Sequence, residues 1–451
     1  MDHVTSDDRQ LWGPQTERAV ANVGRIAGPL PPDLIAAIVA IKIEAAAVNA
    51  RHGVIPTDIA DAIRTAGDLV LAGDLADQFP VDVFQTGSGT SSNMNVNEVL
   101  SRLASDRAAT PVHPNDHVNA SQSSNDVFPS AIRIAALLRV RRTLVPALEH
   151  LHTRLAELAA AHTDTVKLGR THLMDAVPMT FGQEVGGWAR AVELTLPLIA
   201  AADARLHELA LGGTAVGTGL NAPQGFGGEV AAALGDRFDL RFREAVDHFE
   251  SQGGQEALGA MSGACRTVAL TLNKIAGDVR LLGSGPASGL GEVVVPDLQA
   301  GSSIMPGKVN PVIMEVVQQS VAQVVGNDTA ITFASTNATL QLTTAMPVMA
   351  HNLLASIELC ARAATLLADK GIGLLEANSA RMREHALRSP SLVTALAPFI
   401  GYDRAAVIAK SMVATGATIE EAARRELGDD EWDALAEQVA PERMAHPPDD
   451  R

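Results

Sequence analysis

The residues best suited to chemistry fall in five polar islands set in an Ala/Leu/Val-rich chain. The last, Gly301-Ser-Ser-Ile-Met-Pro-Gly-Lys-Val-Asn-Pro311, joins a Gly-flanked serine pair, Ser302 and Ser303, to Lys308 and Asn310, with Glu315 just downstream. A serine on a glycine-rich loop, among N–H groups and a lysine, can give up its proton and act as a base. Work as a nucleophile would need a paired histidine, which spacing alone does not supply. The set permits abstraction of a proton beside a carboxylate. The developing charge would flow into that carboxylate, where Lys308 and amide donors could hold it.

The other islands are Gly87–Glu98 (GSGTSSNMNVNE), His113–Asp126 (HPNDHVNASQSSND), Gly169–Leu173 (GRTHL, with a lone His172) and Gly212–Asn221 (GGTAVGTGLN). Each is read as lying at the edge of a helical run. Taken singly, such Ser, Thr and Asn residues are as readily plain helix caps. Together they are rich in donors and poor in carboxylates, the composition that helix N-termini use to receive oxyanions.

Other chemistries fit less well. The histidines are scattered, with no His-Glu-x-x-His and no Cys-x-x-Cys, so no metal spacing is present. Gly212–Asn221 neither follows a strand nor opens a βαβ unit, which argues against a dinucleotide fingerprint. Gly301–Lys308 lacks the Gly-Lys-Ser/Thr ending of a phosphate loop, because Val309 follows Lys308. Cys265 and Cys360 are the two cysteines. Two thiols exclude both a disulfide framework and a cubane cluster held by this chain's own cysteines, and both are read as inert core thiols. The net charge of −17 over 451 residues argues against nucleic acid and anionic membranes. It also requires any anion site to be locally positive. The acidic start MDHVTSDDRQ does not read as a signal peptide, and Lys42 and Glu44 interrupt the longest apolar run. A cytoplasmic protein is expected.

The elements that must position these islands are helical. With 10 Phe, 3 Trp and 1 Tyr, the chain is too poor in aromatics for a sheet protein. Leu144, Leu148, Leu151, Leu155 and Leu158 step by four and three, as do Val268, Leu272, Ile275, Val279 and Leu282. Such stripes face neighbouring helices at bundle angles. Pro146 should kink the first run. Long helices are also expected over Gly182–Leu211 and Pro311–Phe333. The organisation reads as a mixed helix and loop domain over 1–121, a helical bundle forming an oligomer core over 122–379, and a small helical domain over 380–451, whose polar tail from His446 should fray.

The run Gly301–Pro311 resembles the signature of the fumarase/aspartase superfamily. With GSGTSSNMNVNE (87–98), HPNDHVNASQSSNDVFP (113–129), GRTHLMDAVP (169–178), GGTAVGTGLN (212–221) and IGYDRAA (400–406), nearly the whole chain resembles the class II, cofactor-free fumarate hydratases. The resemblance implies a mainly all-α, three-domain fold with a central long-helix bundle, no cofactor, and a place in the tricarboxylic acid cycle. It implies hydration of fumarate to L-malate, with Ser302 as the base at C3. Lys308 and Asn310 would hold the aci-carboxylate. His172, paired with Glu315 through water, would handle the hydroxyl. Thr90, Ser123, Ser124, Asn125, Thr171 and Ser303 would bind substrate, with Ser88 nearby. His113, Asn115 and Asp116 match a secondary dicarboxylate site. A homotetramer is implied, with each active site assembled from three chains.

Some stretches depart from the hydratase pattern. Thr339-Leu-Gln-Leu342 is closer to aspartate ammonia-lyase, Ala120 and Gln255-Glu256 replace residues common in hydratases, and little chain precedes Leu11–Thr16. Ser124 in Ser-Ser-Asn-Asp and His113 in His-Pro-Asn-Asp are the hydratase forms. Aspartate ammonia-lyase, another succinate-type C–N or C–O lyase, and a non-catalytic structural member are the alternatives.

Overall fold

The computed structural model describes residues 10–446. Residues 1–9 and 447–451, which carry most of the acidic start and the polar tail, lie outside them. The described chain is mainly helical: α1 (Pro14–Val23), α2 (Pro32–Arg51), α3 (Thr57–Leu71), α4 (Thr90–Ser105), α5 (Ser124–Arg139) and α6 (Val145–Ala161) precede a β-hairpin of β1 (Val166–Thr171) and β2 (Met174–Thr180). Then come α7 (Phe181–Glu193), α8 (Thr195–Leu206), α9 (Phe226–Phe238), α10 (His248–Gly253), α11 (Glu256–Leu282), α12 (Val312–Ser335), α13 (Met346–Leu366) and α14 (Ser379–Arg388). Shorter helices follow to Ala445. The remaining strands are two-residue pairings, such as Val293–Val294 against Glu376–Ala377.

The chain forms two compact units, each built from discontinuous segments. The first holds the chain up to Pro146 with Thr195–Ala269 and Val321–Ala361; the second holds Ala147–Leu194, Leu270–Ser320 and the chain from Arg362. In the first, α2 is apolar on nearly every face and packs against α3, α5 and α9. A helix hydrophobic all round belongs in an interior. Lys42 is the lone charge among its buried residues. Ser262 donates to Asp328 at 2.6 Å and Asn327 to Ser356 at 3.1 Å, stitching α11, α12 and α13 in this unit. Cys360 donates to the Cys265 carbonyl at 3.4 Å, with both thiols buried.

In the second unit, Trp188 donates to Asp278 at 3.0 Å and ties α7 to α11. A separate core of Leu392, Leu396, Ile408, Met412, Ala422 and Trp432 holds the C-terminal helices. Leu144, Leu148, Leu151 and Leu155 are buried, as is the whole Val268–Leu282 stripe.

The structure gives one local expectation its physical form and corrects two others. The break near Pro146 is a π-turn at Val140–Leu144: proline has no N–H for the preceding turn, and the ladder widens to absorb the gap. Gly182–Leu211 is two helices divided at Leu194, because Pro197 cannot bond back to the Glu193 carbonyl. Gly169–Leu173 sits not at a helix edge but at the tip of the β1–β2 hairpin. Among the described residues, no helix is long and apolar enough to cross a membrane.

Candidate active site

The residues singled out by sequence fall into two sets, one in each unit. In the first unit, Gly89 takes a left-handed conformation at φ +74° and starts α4 at Thr90. A Cβ at Gly89 would overlap the Phe128 ring, so only glycine fits both the turn and the packing. Ser123 caps α5: its hydroxyl accepts from the Asn125 N–H at 3.2 Å, while Asp126 accepts from the Ser123 N–H at 2.9 Å. These two helix starts meet. Ser88 Oγ lies 2.8 Å from Thr90 Oγ1, which lies 2.7 Å from Ser124 Oγ, forming a continuous hydroxyl chain. The positive end of each helix dipole at these starts favours a nearby anion.

The fourth island joins them. Asp126 Oδ2 accepts from the N–H groups of Gly212 at 3.3 Å and Thr214 at 2.9 Å. Asn125 Nδ2 donates to the Ala215 carbonyl at 2.9 Å. Burial pushes the Asp126 carboxyl up to about 6, against the pull of these N–H groups and of Lys42. Burial likewise pushes the Lys42 ammonium down to about 7, opposed by Asp126. Lys42 donates to Asn119 Oδ1 at 2.7 Å, which also accepts from Asn93 and Asn97. His113 Nδ1 accepts from the Asp116 N–H at 3.0 Å at the start of a π-turn, and Asn115 beside them is exposed.

In the second unit most candidates sit on loops, with Thr171 at the end of β1 and Glu315 on α12. The Gly301–Asn310 loop is closed by Asn310 Nδ2, which donates to the Gly301 carbonyl at 2.6 Å. Ser302 Oγ accepts from the N–H groups of Ile304 at 3.2 Å and Met305 at 3.1 Å. Two donors aimed at one hydroxyl oxygen favour its anion, as a base requires. Ser303 and Lys308 are exposed. Glu315, in the first turn of α12, is half-buried and lines a cleft of about 460 Å³ with Arg280, Ser284 and Val309. Thr171 and His172 are exposed at the hairpin tip, and among the described residues the His172 ring makes no hydrogen bond.

Beneath the hairpin lies a charge cluster that sequence reading missed. Glu292, fully buried, contacts Arg170, His385 and Lys167, and Lys167 also pairs with Glu184 at 2.6 Å. Burial alone would raise the Glu292 carboxyl, but the Arg170 hydrogen bond, the Lys167 charge and the His385 hydrogen bond outweigh it and hold it below the usual range. Arg170 lies inside a polar island and Lys42 stands out in an apolar run, so both had a signal. Glu292, in Leu-Gly-Glu-Val-Val, had none.

A lyase family pattern matches residues 3–326, and a fumarase C C-terminal pattern matches residues 392–446. A class II fumarate hydratase of Corynebacterium glutamicum is 48% identical over 422 residues, covering 93% of this chain and 89% of the relative. The chain belongs to the class II fumarate hydratase family. A Pseudomonas syringae pv. tomato member is also 48% identical, over 96% of this chain and 94% of its own. Among solved structures, a class II fumarase from Schistosoma mansoni aligns with TM-score 0.93 at 36% identity, covering 98% of this chain and 97% of that one. A fumarate lyase:delta crystallin from Brucella melitensis, bound to cobalt, aligns with TM-score 0.92 at 40% identity and the same coverage. The family fold is thus the expected mainly all-α one.

Proposed function

We propose that this chain is a fumarate hydratase that interconverts fumarate and L-malate. The observation that carries this is 48% identity, over nearly the full length of both chains, to relatives named class II fumarate hydratase. The aspartase-like departures, such as Thr339–Leu342, are confined to short stretches, and the ammonia-lyase reading is not favoured.

The mechanism follows from the residues. In the elimination direction, Ser302 takes the C3 proton of L-malate, and its two N–H donors support the oxyanion form that does so. The electron pair left on C3 delocalises into the adjacent carboxylate, held by Lys308 and Asn310. That pair then forms the C2–C3 double bond as the C2–O bond breaks. The hydroxyl leaves with a proton from His172, which Glu315 supports through water. The products are fumarate and water. The hydroxyl chain of Ser88, Thr90 and Ser124, with Ser123, Asn125, Thr171 and Ser303, binds the two carboxylates and the C2 substituent. Neutral donors and helix N-termini resolve the conflict between a net charge of −17 and a dianionic substrate. His113, Asn115 and Asp116 form a secondary dicarboxylate site. The enzyme works in the cytoplasm as a homotetramer, its active sites drawn from three chains, with domains over 1–121, 122–379 and 380–451.

Fumarate's conjugated double bond absorbs in the ultraviolet. Incubation with L-malate should raise that absorbance and incubation with L-aspartate should not; a rise with L-aspartate alone overturns the reading. An active monomer would refute the shared site.

A further inference from the structure

The β1–β2 hairpin carries Thr171 and His172 on a tip that its own backbone disfavours. His172 and Leu173 form the two-residue connection with φ of +55° and +62°. Such paired left-handed residues are normally Asn-Gly, because side chains beyond Cβ crowd the backbone there. Packing at the tip does not hold it, since Leu173 is 73% exposed. The hairpin is held instead along β2, where Ser391 Oγ donates to the Ala176 carbonyl at 2.5 Å, and at its base.

The base is irregular in a way that serves this. Leu168 pairs with Pro178, but Arg170 pairs with Asp175, so β2 carries an extra residue opposite Gly169. A Cβ on Gly169 would lie 2.9 Å from the Val177 carbonyl, which explains the glycine. In a regular strand residues 167 and 170 face opposite sides. Here both reach one carboxylate: Glu292 Oε1 accepts from Arg170 at 2.7 Å, and Oε2 lies 3.4 Å from Lys167. His385 Nδ1, on α14, lies 2.7 Å from the same Oε1. Glu292 is itself pinned through its backbone. Its N–H donates to the Leu282 carbonyl at 2.8 Å, and its carbonyl accepts from the Asn378 N–H at 2.9 Å.

We propose that Glu292 is a positioning residue for the reaction: a fixed, buried carboxylate that gathers Lys167, Arg170 and His385, sets the hairpin's register and so presents Thr171 and His172 to the substrate. Buried ion clusters add little net stability compared with apolar packing, and their best-attested use is to specify one arrangement. Register is the quantity at stake here, because a one-residue slip in a hairpin turns every side chain to the other face. The inference rests on the hydratase reading, in which His172 acts on the C2 hydroxyl and Ser302 on the C3 proton.

That division of labour supplies the test. Glu292→Gln keeps the shape and removes the charge. In the intact enzyme it should lower kcat for fumarate formation by about 10–100-fold, as small misplacements of catalytic groups do, and raise KM to the extent that Thr171 no longer meets the substrate. Exchange of the L-malate C3 proton in D2O should fall much less, so the ratio of exchange to fumarate formation should rise. Turnover within twofold of wild type, or exchange and turnover falling together at unchanged helical content, overturns the proposal. If Glu292→Gln does not fold, His385→Leu removes one partner only and should give the same signature at smaller size; an unchanged ratio there equally overturns it. Wild-type protein that forms no fumarate from L-malate defeats the hydratase reading before any variant is compared.

Discussion

The two units present their candidate groups in opposite ways. In the first, Ser88, Thr90, Ser123, Ser124 and Asn125 sit at the starts of α4 and α5, tied to one another and to the Gly212–Asn221 loop by side-chain hydrogen bonds. In the second, Thr171 is exposed at the end of β1, His172, Ser303 and Lys308 stand on exposed loops, and Ser302 is held by two N–H groups of its own loop. Helix N-termini are rigid and carry donors by construction, which suits the recognition of carboxylates. Groups that take or give protons sit on loops that a scaffold positions. The difference is between donors fixed at helix starts and side chains carried on exposed segments; under the proposed function the base Ser302 and the acid His172 are both of the second kind.

Four measurements would break or sharpen that contrast. Ser302→Ala should lower kcat by about 10²–10⁴-fold, the usual contribution of a general base, with the circular dichroism spectrum unchanged. Near-full activity would remove the base from the second unit and the contrast with it. Gly89→Ala should destabilise the protein by roughly 3 kcal/mol or more, because the new methyl meets the Phe128 ring at a left-handed backbone. A loss below about 1 kcal/mol in denaturant unfolding would mean that the α4 start is not rigid.

The third measurement concerns Lys42 and Asp126, the buried pair behind the first unit's donors. The Asp126 carboxyl is raised to about 6, so its contribution to stability is present below its unfolded value of 3.8 and is lost as pH rises through about 6. The Lys42 ammonium is lowered to about 7, so its contribution is present above 10.5 and is lost as pH falls through about 7. Relative to a Lys42→Met/Asp126→Asn double variant, the wild type should therefore lose stability from about pH 4 to 6 and regain it from about pH 7 to 10. A pH-independent difference in unfolding free energy would overturn these two shifts. The smallest effect is expected at the hairpin tip. Leu173→Asn relieves a left-handed leucine and should raise stability by about 0.5–1 kcal/mol, read from the denaturation midpoint. A loss instead would mean that the exposed leucine packs against something that holds the tip.

What could be read in the sequence divides along the same line. Helix starts are local: a Gly-Thr or Ser-Ser-Asn-Asp step announces its own N–H groups, so the donors at Thr90 and Ser123–Asn125 were legible, as were the Leu144 and Val268 stripes. The hairpin was not. Its short strands lack strong alternation, and its turn uses His-Leu where a turn signal calls for Asn-Gly. Prolines were a poor guide: Pro146 reads as a break, Pro197 divides a stretch that reads as one helix, and Pro129 lies inside α5, since whether a ladder continues, widens or divides depends on what packs beside it.

By itself the sequence determined the helical class, the donor-rich islands, the absence of metal-ligand spacing and the family, because each depends on residue type and near spacing. Only the tertiary structure decided which islands meet. It brought Thr90 to Ser124 across 34 residues and Arg170 to Glu292 across 122. It also decided that Lys42, Asp126 and Glu292 are buried, which turns ordinary charged residues into shifted or clamping ones. Burial and long-range contact belong to the packed fold and not to any stretch of chain, because desolvation and pairing energies exist only once distant segments have excluded water between them.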